Sequence, residues 1–572
     1  MRNNAVKWLY AVPKKKKLYI AALMAVQAAN GASGVLYALF LRNIVDCAAE
    51  KNSNGFWLNV IYIILLVICQ IGLRAVIRWL SELSKATFEN LFKKRLLDNV
   101  LYKDFAKVSA VHSGEWLNRL TNDTVVVTDG YVDILPGLAG MVVKLISAFV
   151  MMLILDWRFA CLILPCGVLF AVFTYGFRKR IKRLHKLTQE KDGSLRIFIQ
   201  ESMSSMMMVR SFAAQQQTQQ KAYEKMSEHK AARMKRIRFS NICNIGFAAA
   251  MNGMYLFGAI YCGYGILVGT ITYGTLTAMT QLISQIQTPF ANITGYLPKF
   301  YAMTASAERL MEIESFEDDC DEPVKPMSEV SRFYADNFAG ISLENAVFTY
   351  YPPAVRLDEL SKDNMPLVLE DISLRINKGE FVAFTGHSGC GKSTVLKLLM
   401  CVYKLDSGKR NVICRDGSTQ TLDARWHRLF AYVPQGNQLM TSTVRQVVSF
   451  ADPANADNDS AINDALKIAC ADEFVSELEN GLDTMLGERG TGLSEGQMQR
   501  LAIARAVFSQ SPIMLFDEAT SALDEQTEKK VLENLRSMTD KTVAIVTHRP
   551  AALEICDRVL SFSENGIADK DL

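Results

Sequence analysis

"FVAFTGHSGCGKST", residues 381–394, decides how the second half of the chain folds. An apolar run leads into a glycine-rich turn and then into a helix start, which fits G-x-x-x-x-G-K-[ST] with Gly386, Gly391, Lys392 and Ser393. Glycines let backbone N–H groups close around phosphates, the lysine reaches the terminal ones, and the serine hydroxyl can ligate magnesium. Ser388, Gly389, Cys390 and Thr394 complete the cradle, with Cys390 either a reactive thiol beside Lys392 or a small space-filler. Outward from this loop, "PIMLFDEAT" (512–520) reads as a buried strand ending in two carboxylates. Asp517 is the candidate magnesium holder and Glu518 the candidate base that polarises an attacking water. "VAIVTH" (543–548) is a second apolar strand, ending in His548, a candidate contact to a γ-phosphate. A second phosphate cradle is expected in "GTGLSEGQMQRLAIARA" (490–506), where a serine, a glycine and a glutamine stand at a helix start.

From "ISLENAVFTY" (341–350) onward, β-branched and aromatic runs alternate with helical patterns, so an α/β domain is expected over 341–572. Before it, 311–340 includes the acidic, turn-rich "ESFEDDCDEP" (314–323) and reads as a linker. The first 310 residues differ in kind. Six apolar runs, at about 18–41, 57–73, 136–155, 159–177, 244–269 and 273–295, are each long enough to cross a bilayer. Long polar stretches separate the second run from the third and the fourth from the fifth; they read as helices running on into water. "PKKKK" (13–17) and "RKRIKR" (178–183) lie on one side of this pattern. Both termini and both long loops are therefore expected in the cytoplasm of a multi-pass plasma-membrane protein. Residues 1–12 are expected to lie on the inner membrane surface. A net charge of +4 over 572 residues gives no electrostatic case for nucleic acid. The cysteines show no paired spacing of the zinc or redox type and read as reduced, small hydrophobes.

These residues carry a resemblance. The phosphate loop, "YVPQ" (432–435), "LSEGQ" (493–497), "LFDE" (515–518), "SALD" (521–524) and His548 resemble, in order, the motif set of the ATP-binding cassette (ABC) family. Six spans ahead of one cassette resemble an exporter half-transporter of the multidrug and lipid type, and the absence of targeting extensions favours a bacterial plasma membrane. The fold this implies is an all-α six-helix transmembrane domain of exporter type, followed by an α/β P-loop cassette. It implies ATP and Mg2+ as ligands, with Ser393, Gln435 and Asp517 around the metal and Tyr350 stacked on adenine, unless Tyr351 does so. It also implies that two cassettes sandwich ATP, the partner being a second copy or a related chain. Ser494, Gly496 and Gln497 would then close on the partner's γ-phosphate, with Asp524 at the seam. "TMLGERG" (484–490) resembles the stretch that marks exporters; "SGEWLNRLTNDT" (113–124) and "VRSFAAQQQT" (209–218) resemble the loop elements it touches. Glu495 departs from the usual glycine of the signature.

For the cargo, Lys144 is the one charge inside the six runs, about 18 Å along the helix from Asp156. Such a charge usually faces a cavity or a partner. With Gln281 and Gln285 it is the candidate lining of a cavity for an amphiphilic drug, lipid or peptide. Two other readings compete: an uptake system or lipid flippase on the same fold, and a soluble ABC ATPase acting on DNA. The six apolar runs oppose the last.

Overall fold

The computed structural model describes residues 2–320, 322–353, 360–363, 365–436, 439–487, 492–563 and 566–570. Side chains at 162–175, 177–179, 290–294 and at a few other positions lie outside the described set. The chain divides into two compact units, one formed by 1–93 with 122–308 and the other by 94–121 with 309–572.

The first unit is helical. Its helices Lys17–Ala49, Ser53–Tyr102, Thr124–Leu155, Trp157–Ser204, Gln215–Leu267 and Tyr273–Glu312 contain the six apolar runs, and the second and last continue into the other unit. At 1.5 Å per residue, the 50-residue helix Ser53–Tyr102 is about 75 Å long, well beyond a hydrocarbon core of about 30 Å. The long polar stretches are thus the water-side extensions of spanning helices. Among the described residues, four helices are long and apolar enough to cross a membrane by length and composition. Two expected runs fall outside those four. The run at 159–177 lies in helix Trp157–Ser204, where most of its side chains are outside the described set. The run at 273–295 lies in Tyr273–Glu312, made amphipathic by its threonines and glutamines.

Short links are fastened by carboxylates. Asp156 accepts from the Arg158 and Phe159 amides at 2.9 and 3.3 Å and from the Tyr261 hydroxyl at 3.0 Å, so "DWR" turns the chain sharply. Asp46 accepts from the Gly274 amide at 2.8 Å and the Thr272 hydroxyl at 3.0 Å. Small residues let the spans approach: a Cβ added at Gly31 would lie 2.6 Å from the Gly140 carbonyl.

The second unit is the α/β one. Strands β1 (Phe338–Phe348), β2 (Leu369–Asn377), β4 (Ser407–Cys414) and β5 (Thr419–Thr421) form an antiparallel sheet in the order β2-β1-β4-β5. The second sheet contains β3 (Phe381–Gly386), β6 (Phe430–Val433), β7 (Ile513–Asp517), β8 (Thr542–Val546), β9 (Arg558–Ser563) and β10 (Gly566–Lys570). Its order is β10-β9-β3-β8-β7-β6, parallel except for β10. Strands β7 and β8 are buried along their whole length, which is why they read as unbroken apolar runs. Residues 311–340 are more ordered than a linker requires. They hold the amphipathic helix Met327–Asp336, which buries Val330 and Tyr334, and β1 already begins at Phe338.

This unit also contains the far end of the first long loop, residues 94–121. Phe105, at the start of helix Phe105–Ala110, meets Tyr403 edge-on at 5.6 Å, and Ala106 packs against the core beneath β1. The expected contact of 113–124 with 484–490 involves residues 488–490, which lie outside the described residues. Trp116 is buried, but its indole N–H is spent on the Val108 carbonyl at 3.0 Å, and Leu117 is exposed. Arg119, 2% exposed, binds Glu115 at 2.9 Å and Glu312 at 3.0 Å, tying the loop to the end of the last long helix.

Candidate nucleotide site

In an open parallel sheet, ligands bind beyond the carboxyl ends of the strands. Four neighbouring strands, β3-β8-β7-β6, bring their carboxyl ends to one edge here. β3 ends at Gly386, β8 leads to His548, β7 ends at Asp517 and Glu518, and β6 leads through Pro434 to Gln435. Residues spread over more than 160 positions of sequence therefore meet because apolar strands of similar length lie in register.

Within the loop, Gly386, Gly389 and Gly391 have φ of +134°, +88° and +93°, a region that side chains strain to enter. Gly391 is the N-cap of helix Lys392–Leu399 and makes no side-chain cap, so the first amides of that helix face the cradle. Lys392 is buried, and its ammonium donates to the carbonyls of Gly386 at 2.7 Å and His387 at 2.8 Å and to Cys390 Sγ at 3.6 Å. Ser388 is exposed at the tip. Ser393 Oγ donates to Asp517 Oδ1 at 2.7 Å, and the Tyr432 hydroxyl donates to Asp517 Oδ2 at 3.0 Å. Burial and the adjacent Asp517 push the Tyr432 hydroxyl far above its ordinary value, so it stays a donor. Gln435 Nε2 donates to Glu518 Oε2 at 2.7 Å. Glu518 itself sits at φ +52°, a left-handed conformation costly for a non-glycine residue and characteristic of functional positions. His548 is exposed, with no hydrogen bond to any described residue.

Tyr350 and Tyr351 diverge. The Tyr350 hydroxyl is 3.0 Å from that of Thr394, its ring is edge-on to Phe348 and Tyr403, and the field of Asp517 reaches it. Tyr351 lies under the Lys362 ammonium, within the fields of Asp104, Asp406 and Glu317. Tyr350 is thus on the P-loop side and Tyr351 on the side of the first long loop.

The signature stretch lies in another neighbourhood. Helix Glu495–Phe508 packs on helices Asp459–Ile468 and Val444–Val448, while the P-loop helix packs on β3 and β7. Ser494 caps it, accepting from the Gln497 amide at 3.2 Å, while Gln497 Oε1 accepts from the Ser494 amide at 2.8 Å. Gly496 is needed for clearance, since a Cβ there would lie 2.9 Å from the Ala522 carbonyl. Asp524 caps helix Glu525–Arg536 through the Thr527 amide at 3.0 Å, and that backbone hydrogen bond holds its carboxyl below the ordinary value. Part of "TMLGERG", residues 488–490, is outside the described residues.

Sequence reasoning passed over Tyr432, which precedes Gln435 in a quoted motif. It also missed a buried group shortly after Glu518 in the chain: Thr520 Oγ1 donates to Glu528 at 2.7 Å, and Arg549 pairs with Glu528 at 2.8 Å. In the membrane unit, Lys144 and Gln285 line one cavity, and Gln281 does not. Gln281 is one helical turn nearer the link at 268–272, whereas the cavity extends the other way, to Pro289 and Tyr296.

A spanning helical unit joined to a phosphate-binding cassette defines a membrane-embedded, nucleotide-driven transport ATPase. The model of the ABC transporter transmembrane region matches residues 20–290, and that of the ABC transporter cassette matches 369–521, together most of the chain. The chain belongs to the ABC transporter family, and its architecture is that of an exporter half-transporter that couples ATP hydrolysis to transport. It is 28% identical to a protein of Rickettsia felis named as an export ATP-binding/permease protein, over 98% of this chain and 95% of that one. It is 27% identical to an ATP-dependent lipid A-core flippase of Mannheimia succiniciproducens, over 98% and 93%. Among solved structures, a bacterial Atm1-family ABC exporter with ATP bound shares the fold, with a TM-score of 0.78 at 20% identity, over 98% of this chain and 95% of that one.

Proposed function

We propose that two copies of this chain pair in a bacterial plasma membrane, cassettes and termini on the cytoplasmic side, and that closing the cassettes around ATP drives export of an amphiphile. The meeting of Lys392, Ser393, Gln435, Asp517, Glu518 and His548 at one sheet edge is the observation that carries this reading. Lys392 exchanges its loop carbonyls for the β- and γ-phosphates, and Tyr350 receives adenine. Glu518, held by Gln435, polarises the attacking water, and His548 meets the γ-phosphate. Ser393 Oγ, Asp517 Oδ1 and the Gln435 side-chain oxygen are hard oxygen donors of the kind Mg2+ takes, so these residues would hold it. Bound there, Mg2+ neutralises phosphate charge. Ser494, Gly496 and Gln497 of the second copy cover the γ-phosphate at a helix N-terminus, where negative charge is favoured. Hydrolysis removes that phosphate and loosens the sandwich. The names of the flippase relatives favour a lipid among the amphiphiles.

The test is the native mass and ATPase rate of the chain expressed alone and placed in lipid nanodiscs. A dimer-sized particle is expected, with magnesium-dependent hydrolysis that Glu518→Gln reduces by about 10²–10⁴-fold, the usual weight of a general base. A stable particle without hydrolysis would contradict the pairing with itself.

A further inference from the structure

Segment 521–524 runs from the strand-end carboxylates to the helix that Asp524 caps, and one cation fastens it. Arg549 donates from Nη2 to the Ser521 carbonyl at 2.5 Å, and from Nη1 to the Leu523 carbonyl at 2.9 Å and to Glu528 Oε2 at 2.8 Å. The carbonyl between those two, that of Ala522, would lie 2.9 Å from a Cβ on Gly496, so it packs directly on the signature helix. That helix grips the same segment through Gln499, which is 3% exposed. Its Oε1 accepts from the Ala522 amide at 3.0 Å, and its Nε2 donates to Ser521 Oγ at 3.1 Å. The segment is thus clamped between Arg549 and the signature helix. Arg549 is itself fixed at both ends. Its amide donates to Thr547 Oγ1 at 3.0 Å, a hydrogen bond that spans His548. Its guanidinium faces Glu528, a carboxylate only 2% exposed whose other oxygen accepts from Thr520 Oγ1 at 2.7 Å and which, so buried, requires a charged partner. Backbone and side chain therefore do different things: the first holds the turn at His548, and the second reaches away from it to 521–528. A planar guanidinium serves several acceptors in fixed directions, whereas a lysine ammonium can neutralise Glu528 without holding both carbonyls in that geometry.

We propose that Arg549, one position after His548, is a positioning residue for the second copy's nucleotide and not for its own. Its side chain sets segment 521–524 against the signature helix, and so shapes the surface that Ser494 and Asp524 present to the partner's γ-phosphate. Nearness to His548 in the chain points to the opposite assignment; the contacts of the guanidinium with Ser521, Leu523 and Glu528 decide against it. The inference rests on the pairing of copies proposed above.

The experiment uses two differently tagged full-length copies, co-expressed and purified over both tags. In the background pair one copy carries Ser494→Arg and the other Lys392→Ala, which leaves one sandwich, with its P-loop from the first copy and its signature from the second. Arg549→Lys is then added to either copy, and kcat and KM for magnesium-ATP are measured together with the melting temperature. In the signature-donating copy it is expected to lower kcat about tenfold, the scale of a small misplacement of a group that acts in the transition state. In the P-loop-donating copy the loss should be at most about twofold, and KM should stay within about twofold in both, because ground-state binding of ATP is not what the residue serves. Both particles contain one altered copy, so a defect of folding alone lowers them equally and shows as the same fall in melting temperature. Arg549→Gln combined with Glu528→Gln in one copy removes both charges, leaves no buried carboxylate unpaired, and should reproduce the asymmetry. Equal losses in the two placements, a larger loss in the P-loop-donating copy, or no loss in either overturn the proposal. A background pair without hydrolysis breaks the pairing of copies and this inference with it, whereas hydrolysis in the background with the wrong asymmetry breaks this inference alone.

Discussion

Helices Lys392–Leu399 and Glu495–Phe508 each begin at a proposed phosphate cradle, and their first turns are finished in opposite ways. The first opens on Gly391 with no side-chain cap, leaving its amides free for a ligand. The second opens on a complete capping box, in which Ser494 and Gln497 satisfy each other. A bare helix start binds an anion by itself, whereas a capped one must open part of its own hydrogen bonding to do so. On the proposed function, this makes the P-loop the primary nucleotide site and the signature a conditional one that engages when a triphosphate is presented to it. The same cassette carries a third finish at helix Glu525–Arg536, where the ionised Asp524 is the cap.

The largest separation between the two cradles should come from Lys392→Ala. It removes charge-assisted contacts worth about 1.5–3 kcal/mol each, so ATP affinity should fall about tenfold to a hundredfold, read by fluorescent-nucleotide titration. Ser494→Ala should leave that affinity within about twofold while lowering hydrolysis, because it acts on closure. It should also cost about 1 kcal/mol of stability through the lost cap, visible as a lower melting temperature. Equal loss of first ATP binding in both variants would erase the distinction. The smallest effect concerns Asp524. Its folded carboxyl titrates below the ordinary 3.8, so its cap stabilises fully above that value and the contribution is lost as pH falls through the depressed one. As pH falls below 3.8 the melting temperature should drop more for wild type than for Asp524→Asn, whose amide caps without titrating.

How much of this was legible depended on whether the signal was contiguous. The strand-turn-helix at 381–399 and the strand ending at Asp517 could be read because each holds its apolar run and its polar tip within a few residues. The contact of Phe105 with Tyr403 could not: the two are about three hundred positions apart and each looks like an ordinary aromatic in a polar stretch. Arg74 was overlooked for a similar reason, since it follows an apolar run and reads as an interfacial charge until it is found lining the same cavity as Lys144. Helical spacing groups Gln281 with Gln285, but depth along the helix leaves the former out of the cavity. Tyr350 and Tyr351, adjacent in sequence, are distinguished by Thr394 and Lys362, which strand alternation alone does not supply.

The central claim is that the two cradles of one chain serve two different nucleotides. Co-expression of two differently tagged copies, purified over both tags, tests it by complementation of hydrolysis. A pair in which one copy carries Lys392→Ala and the other Ser494→Arg keeps one intact sandwich if the sites form across copies. A pair of wild type with a copy carrying both substitutions keeps none. Hydrolysis is therefore expected in the first pair and not in the second. The reverse pattern, activity in wild type paired with the double variant and none in the paired single variants, would mean that both cradles of one chain hold the same nucleotide.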